Sequence, residues 1–120
     1  MSLPLTPAIL EAAYEYLRAT PPFRSWGLPK GNTVKFHVLR TKKFEGDHTT
    51  YIREGGHIIR VSSGKIGHTG SLMAVMAHEM IHARQAAKKT ETPNTVHNAE
   101  FHRLAARVCK LHGFDLKLFV

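Results

Sequence analysis

Three residues in one short stretch have the types and spacing of a metal site with a base beside it. His78, Glu79 and His82 form the pattern H-E-x-x-H within residues 72–83. Positions four apart lie one above the other on a helix, so the two imidazoles can face one point while Glu79 occupies the neighbouring stripe. Imidazole nitrogens are common zinc ligands, and a carboxylate close to them is suited to general base catalysis.

The same residues could instead be ordinary core residues of a helix. With nine His and seven Glu in 120 residues, about 0.04 chance matches to H-E-x-x-H are expected. The neighbouring residues are apolar nearly all round the helix, which is typical of a buried helix. Burying a carboxylate and two imidazoles is costly without a compensating partner, so the apolar surroundings favour a bound metal.

A third ligand must come from another part of the chain, because a catalytic zinc has three protein ligands and an open fourth position. His97 and Glu100 are three residues apart at the predicted start of the last helix. Either side chain could approach His78 and His82 if the two helices pack antiparallel. Spacing alone does not decide between a three-His site and a site of two His and one Glu.

Hydrophobic periodicity and turn residues predict the elements that must position these side chains. The predicted elements are a helix over 7–19, strands over 34–38, 48–53 and 57–62, a motif helix from 71 to about 89, and a last helix from about 96 to 112. Ser71 is the predicted N-cap of the motif helix. The turn Glu54-Gly55-Gly56 predicts a hairpin between the second and third strands. These patterns predict an α+β fold with a small antiparallel sheet of about three strands.

Composition narrows the class of protein. The 120 residues fit a single domain over 1–120, and the single cysteine, Cys109, excludes an internal disulfide and a zinc ribbon. No segment has the pattern of a signal peptide or the length of a membrane span, which predicts an intracellular protein. The net charge is +8, and residues 24–65 carry nine Lys or Arg against three acidic residues. Nucleic acid is the leading expected partner, and a solvated basic face is the alternative.

The order of these elements and two of their motifs resembles the SprT-like (Spartan-type) metalloprotease domain over most of the chain. That family has H-E-x-x-H followed, fifteen residues after its second His, by a third His in the pattern H-G-x-x-F. Here His97 lies fifteen residues after His82, and Phe101 occupies the Phe position. Asn98 stands where the family pattern has Gly.

The resemblance implies a zincin-like fold and one Zn²⁺ per chain held by His78, His82 and His97. It implies an endopeptidase in which Glu79 is the general base for a zinc-activated water, acting on proteins bound or crosslinked to DNA. We expect a minimal member without the C-terminal zinc ribbon found in many members, located in the cytoplasm or at the nucleoid. A phage or mobile element is our expectation for its source. A nucleic-acid-binding module with a structural zinc and a zinc hydrolase acting on another substrate are the alternatives.

Further residues are candidates for supporting roles in such a reaction. The candidates for stabilising the transition state or orienting a ligand are Tyr51, His68, Glu100 and His102. The third predicted strand directly precedes the motif helix, so we expect it to be an edge strand that pairs with substrate backbone. Its residues are His57, Ile58, Ile59, Arg60, Val61 and Ser62.

Overall fold

The computed structural model describes residues 5–39, 46–50, 57–62 and 69–119. Within these ranges the chain is α+β, as predicted. Its elements in chain order are α1 (Pro7–Arg18), β1 (Val34–Leu39), β2 (Gly46–Thr50), β3 (His57–Ser62), α2 (Thr69–Lys88), α3 (Ala99–His112) and α4 (Leu116–Phe119). The motif helix α2 begins two residues before Ser71, so the prediction of Ser71 as its N-cap is wrong.

The first helix forms where capping and periodicity predict it. The Thr6 side chain accepts a hydrogen bond from the backbone nitrogen of Ile9 at 3.2 Å, and Pro7 occupies the first turn, where its missing N–H costs nothing. The residues that α1 buries recur at helical spacing. They are Leu10, Ala13, Tyr14 and Leu17. This stripe fixes α1 against the rest of the core.

The sheet is mixed rather than antiparallel, and its strand order is β1-β3-β2. The predicted pairing of the second and third strands is confirmed, because β2 runs antiparallel to β3 with Thr49 opposite Ile58. The prediction for the first strand is wrong, since β1 runs parallel to β3 with Phe36 opposite Ile59. Alternation of apolar and polar residues is the same in both kinds of pairing, so it could not reveal the direction.

The strand predicted to lie at the edge is in the centre of the sheet. Both sides of β3 are paired, one with β1 and the other with β2, so its backbone cannot add a substrate strand. His57 is buried within the same strand.

Helix α2 lies at the centre of the structure, in contact with α1, α3 and β2. The largest side chains that the core buries completely are Tyr14, Phe23, Phe101, Leu10, Leu17, Ile59, Met76, Met80 and Ile81. Trp26 and Cys109 are buried and belong to the hydrophobic core. Among the described residues, no helix is long and apolar enough to cross a membrane.

Candidate metal centre

Two of the three predicted ligands lie one helical turn apart on α2. The ring centroids of His78 and His82 are 5.1 Å apart, and both side chains are half-buried. Glu79 is only 4% exposed. The H-E-x-x-H motif is therefore set into the body of the protein, where water is partly excluded and electrostatic interactions are strong.

His97 completes the group from the residues just before α3. Its ring centroid is 4.9 Å from that of His78 and 5.2 Å from that of His82. One ligand nitrogen from each of the three side chains lies within 4.8 Å of the other two. Within the described residues this is the one group of three His, Cys, Asp or Glu side chains that could hold a metal ion. The structure therefore brings His97, and not Glu100, to the two motif histidines.

The Phe101 ring packs against all three imidazoles. Its ring stacks on His97 at a centroid distance of 4.1 Å and an interplanar angle of 9°, and on His82 at 4.8 Å and 26°. It meets His78 edge-on at 5.0 Å. Because Phe101 is completely buried, these contacts restrict the ring planes of all three histidines at once.

A hydrogen bond fixes which nitrogen of His78 is available. Its Nδ1 lies 2.8 Å from the backbone carbonyl oxygen of Phe119 in α4. A carbonyl oxygen only accepts, so Nδ1 must carry the hydrogen, and Nε2 is left with the free electron pair that a metal needs. Ligand histidines commonly donate their other N–H to a carbonyl or carboxylate in this way.

Gln85, which is not among the residues predicted from the sequence, joins α2 to the start of α3. It is one turn beyond His82 and only 1% exposed. Its Nε2 donates hydrogen bonds to Asn98 Oδ1 at 2.9 Å and to Glu100 Oε1 at 3.0 Å. A polar side chain at this position in an apolar helix was the available signal, because a buried amide needs partners.

Asn98 holds the loop that carries His97. Its Oδ1 also accepts from the backbone nitrogen of Phe101 at 2.9 Å, which caps α3. Its Nδ2 donates to the Thr90 carbonyl at 3.1 Å and to Thr92 Oγ1 at 2.9 Å. These bonds explain why an amide side chain, rather than Gly, follows His97, and they place the start of α3 at Ala99 instead of the predicted position near 96.

Glu100 supports this network and is not part of the histidine group. Its carboxylate accepts hydrogen bonds from Thr90 and Gln85, and Arg103 lies 3.7 Å away. The Thr90 hydroxyl, followed by the Gln85 amide, lowers the pKa of this carboxyl below its usual value. A carboxylate that is already hydrogen-bonded as an anion fits the predicted supporting role, here exerted on the loop before α3.

Of the other predicted supporting residues, only His102 lies within the described part of the chain, and it is farther from the histidine group. His102 is exposed on α3, and its ring centroid is 6.3 Å from that of His97 in an edge-on arrangement. Tyr51 and His68 lie outside the described residues. His102 therefore remains a candidate at the rim of the site, at one side of His97.

Burial favours the unprotonated form of His78 and His97, which is the form that binds metal. Desolvation lowers the pKa of His78, and the neighbouring His97 lowers it further, although the Phe119 carbonyl opposes the shift. Desolvation is also the main cause that lowers the pKa of His97, with His102 adding to it. Metal ligands must be unprotonated, so imidazoles that resist protonation favour metal binding near neutral pH.

We expect the metal-free protein to lose stability as the pH falls below about 6.5, the ordinary histidine pKa. Burial lowers the pKa of His57, His78 and His97 in the folded protein. At a pH between this lowered pKa and the ordinary pKa of the unfolded chain, the unfolded chain therefore binds more protons than the folded protein. Stability then rises with pH. Urea unfolding from about pH 7 to about pH 5.5 measures this, a range above that in which Glu carboxyls titrate. An unfolding free energy that is constant over this range would contradict the expectation.

We expect Gln85→Met to destabilise the fold by about 1–3 kcal/mol, because it keeps the side-chain length but removes both donated hydrogen bonds. Urea unfolding of the metal-free protein gives the difference. Lys88→Met, at an exposed position on the same helix, is the matched control and should change stability by less than about 0.5 kcal/mol. Equal stabilities for the two variants would show that the Gln85 bonds contribute nothing.

A scan against protein-family models gives no match for the chain, and a search of the curated proteins gives none either. The function must therefore be argued from the chemistry of the site, because a fold by itself does not determine an activity.

Proposed function

We propose that the protein is a zinc-dependent endopeptidase of the SprT-like type. The observation that carries the proposal is the convergence of His78, His82 and His97 within 4.8 Å, with Glu79 directly after the first of them on α2. Three histidines are one of the donor sets that hold a catalytic zinc, and a carboxylate next to such a ligand can serve as the general base. The spacing of the same residues supports the SprT-like type.

The donor set fits zinc. Three neutral imidazoles suit Zn²⁺, and His78 has the outer hydrogen bond that orients a ligand histidine. Within the described residues, the group contains three ligand side chains and no fourth. Structural zinc sites usually have four protein ligands, whereas catalytic sites have three and keep one position open. The three-ligand group therefore favours catalysis over a purely structural zinc.

The division of labour follows from the residue types. A zinc ion bound here would act as a Lewis acid that acidifies water and polarises the carbonyl of the scissile bond. Glu79 would accept the proton from the attacking water and then donate it to the leaving amine. Phe101 and the Gln85 network would hold His97 and its loop in place, so that the ligands need no rearrangement during the reaction.

The edge strand β2 is the best candidate for binding a peptide backbone. Within the ranges that the structure describes, it is paired on one side only, with β3, and it packs against α2, which carries Glu79. An extended peptide can add to such an edge through main-chain hydrogen bonds. This assignment replaces β3, the strand we had expected to serve as the edge.

DNA-bound or DNA-crosslinked proteins are the proposed substrates. The net charge of +8 supports this choice, because a basic protein is attracted to the phosphates of nucleic acid, which brings it close to the proteins bound there. Binding that involves phosphate contacts weakens as salt is added, since counterions are released. Affinity for DNA that does not change with salt would argue against the basic surface as the contact.

The test is cleavage of a basic DNA-binding protein by the zinc-loaded chain, with and without single-stranded DNA. The proposal predicts cleavage that a chelator abolishes, that added zinc restores and that DNA stimulates. Bound zinc without cleavage under any of these conditions would instead favour a nucleic-acid-binding module with a structural zinc. Cleavage that persists after complete removal of metal would exclude the proposed chemistry.

A further inference from the structure

We propose that helix α4 is a positioning element for the metal centre, and that the backbone carbonyl of Phe119 selects the metal-binding tautomer of His78. The inference rests on the proposed function in one respect, namely that the three imidazoles bind zinc. It does not depend on which substrate is cleaved. Phe119 is 41 residues from His78 along the chain, so the contact is made only in the folded protein.

The contact determines which ring nitrogen of His78 has the free electron pair. A neutral imidazole has one N–H, and the carbonyl oxygen 2.8 Å from Nδ1 can be satisfied only if that nitrogen carries it. Nε2 is then the sole ligand atom of His78. Without the carbonyl, the hydrogen can move from Nδ1 to Nε2. It must then leave Nε2 before zinc can bind to that nitrogen.

Aromatic packing holds the carbonyl at this position. The Phe119 side chain is only 5% exposed, and its ring centroid is 5.6 Å from that of His78. Phe114 stacks on Phe119 at 5.8 Å and 12°, and His112, in the last turn of α3, stacks on Phe114 at 5.6 Å and 10°. This row of rings connects the end of α3 to the metal centre.

A local cap completes the arrangement. Asp115 Oδ1 accepts a hydrogen bond from the Lys117 backbone nitrogen at 2.9 Å, and the Asp115 carbonyl accepts from the Phe119 nitrogen at 3.0 Å. A helix of four residues is too short to be stable without its surroundings. The Asp115 cap and the Phe119 ring together therefore fix the orientation of the Phe119 carbonyl.

Two truncated chains that differ by one residue test the proposal. The chain that ends at Phe119 keeps an oxygen acceptor, now a terminal carboxylate, whereas the chain that ends at Leu118 has none at this position. The tautomer of His78 is read from the ¹⁵N resonances of its ring in metal-free protein, assigned with a His78→Gln variant. Zinc affinity is measured by competition with a chelator.

We expect the full chain and the chain ending at Phe119 to show His78 with its hydrogen on Nδ1. The chain ending at Leu118 should lose this single tautomer and bind zinc about 10- to 100-fold more weakly, the usual effect of losing an outer hydrogen bond to a ligand. An unchanged tautomer and an unchanged zinc affinity in the chain ending at Leu118 would overturn the proposal.

A second pair of variants covers the case in which the shorter chain does not fold. Asp115→Ala removes the cap without touching the metal centre, whereas Asp115→Asn keeps a side chain that caps well. We expect the alanine variant to lose the Nδ1–H tautomer and the asparagine variant to retain it. Identical spectra for the two variants would overturn the proposal.

These readouts are separate from peptidase activity. The tautomer is measured without metal or substrate, so it can be fixed by Phe119 even in a protein that cleaves nothing, which would overturn only the proposed function. Full peptidase activity together with a His78 tautomer that is unchanged when Phe119 is removed would overturn only the present inference.

Discussion

Replacing Glu79 with Gln should lower peptide hydrolysis about 10²–10⁴-fold, the usual contribution of a general base. Glutamine has nearly the same size as glutamate but cannot accept the proton from water. The three histidines are unchanged, so bound zinc should remain at the wild-type level. Rates of peptide cleavage and zinc content, measured on the same samples, give both quantities.

Glu91→Gln is the matched control, because it makes the same chemical change at an exposed position in the loop before α3. It should cleave at the wild-type rate. Turnover by Glu79→Gln at the rate of this control would remove Glu79 from the role of base. Loss of zinc from Glu79→Gln would instead assign Glu79 a part in holding the metal.

His97→Ala should weaken zinc binding by more than about 100-fold. Losing a residue that only hydrogen-bonds to a ligand weakens binding by up to about 100-fold, and losing a ligand should cost more. The reason is that His97 is one of three converging imidazoles, so its removal takes away a ligand itself. Glu100→Ala removes only the carboxylate that accepts from Gln85 and Thr90, so its effect should be smaller. Competition with a chelator of known zinc affinity measures both.

His102→Ala serves as the control for removing a histidine near the site. Its side chain is exposed, and its ring lies beside His97 rather than within the group of three. Zinc affinity should stay within a few-fold of wild type. Wild-type affinity in His97→Ala together with loss of affinity in Glu100→Ala would transfer the third ligand to Glu100.

The parts of the structure that depend on local sequence were predictable. Thr6 and Pro7 specify the start of α1, and the i, i+4 spacing of His78 and His82 specifies one face of α2. Gly113, with φ of 78°, ends α3 where the sequence placed its end, because glycine adopts this backbone conformation without strain. Each of these features is decided within one or two helical turns.

The parts that depend on distant contacts were not predictable. The parallel pairing of β1 with β3 depends on the path of the chain between the two strands. The alternation of apolar and polar residues in β1 is the same for parallel and antiparallel pairing, so it does not reveal the direction. Spacing could not choose between His97 and Glu100, since both lie near the start of α3. That choice is made by Gln85, which holds Glu100 away in a network of its own.

The Phe119 carbonyl is a further example, because a backbone group has no sequence signature. Residues 114–120 are largely apolar, but this composition does not identify His78 as their contact. The contact of α4 with the histidine group is visible only in the structure, where His78 Nδ1 and the Phe119 carbonyl oxygen lie 2.8 Å apart.

X-ray absorption at the zinc edge of the zinc-loaded protein would show directly whether the three histidines bind zinc and leave one position open. We expect one zinc per chain with three imidazole nitrogens at about 2.0–2.1 Å and one oxygen that does not come from a side chain. A sulfur ligand at about 2.3 Å, or four protein ligands that close the site, would contradict it.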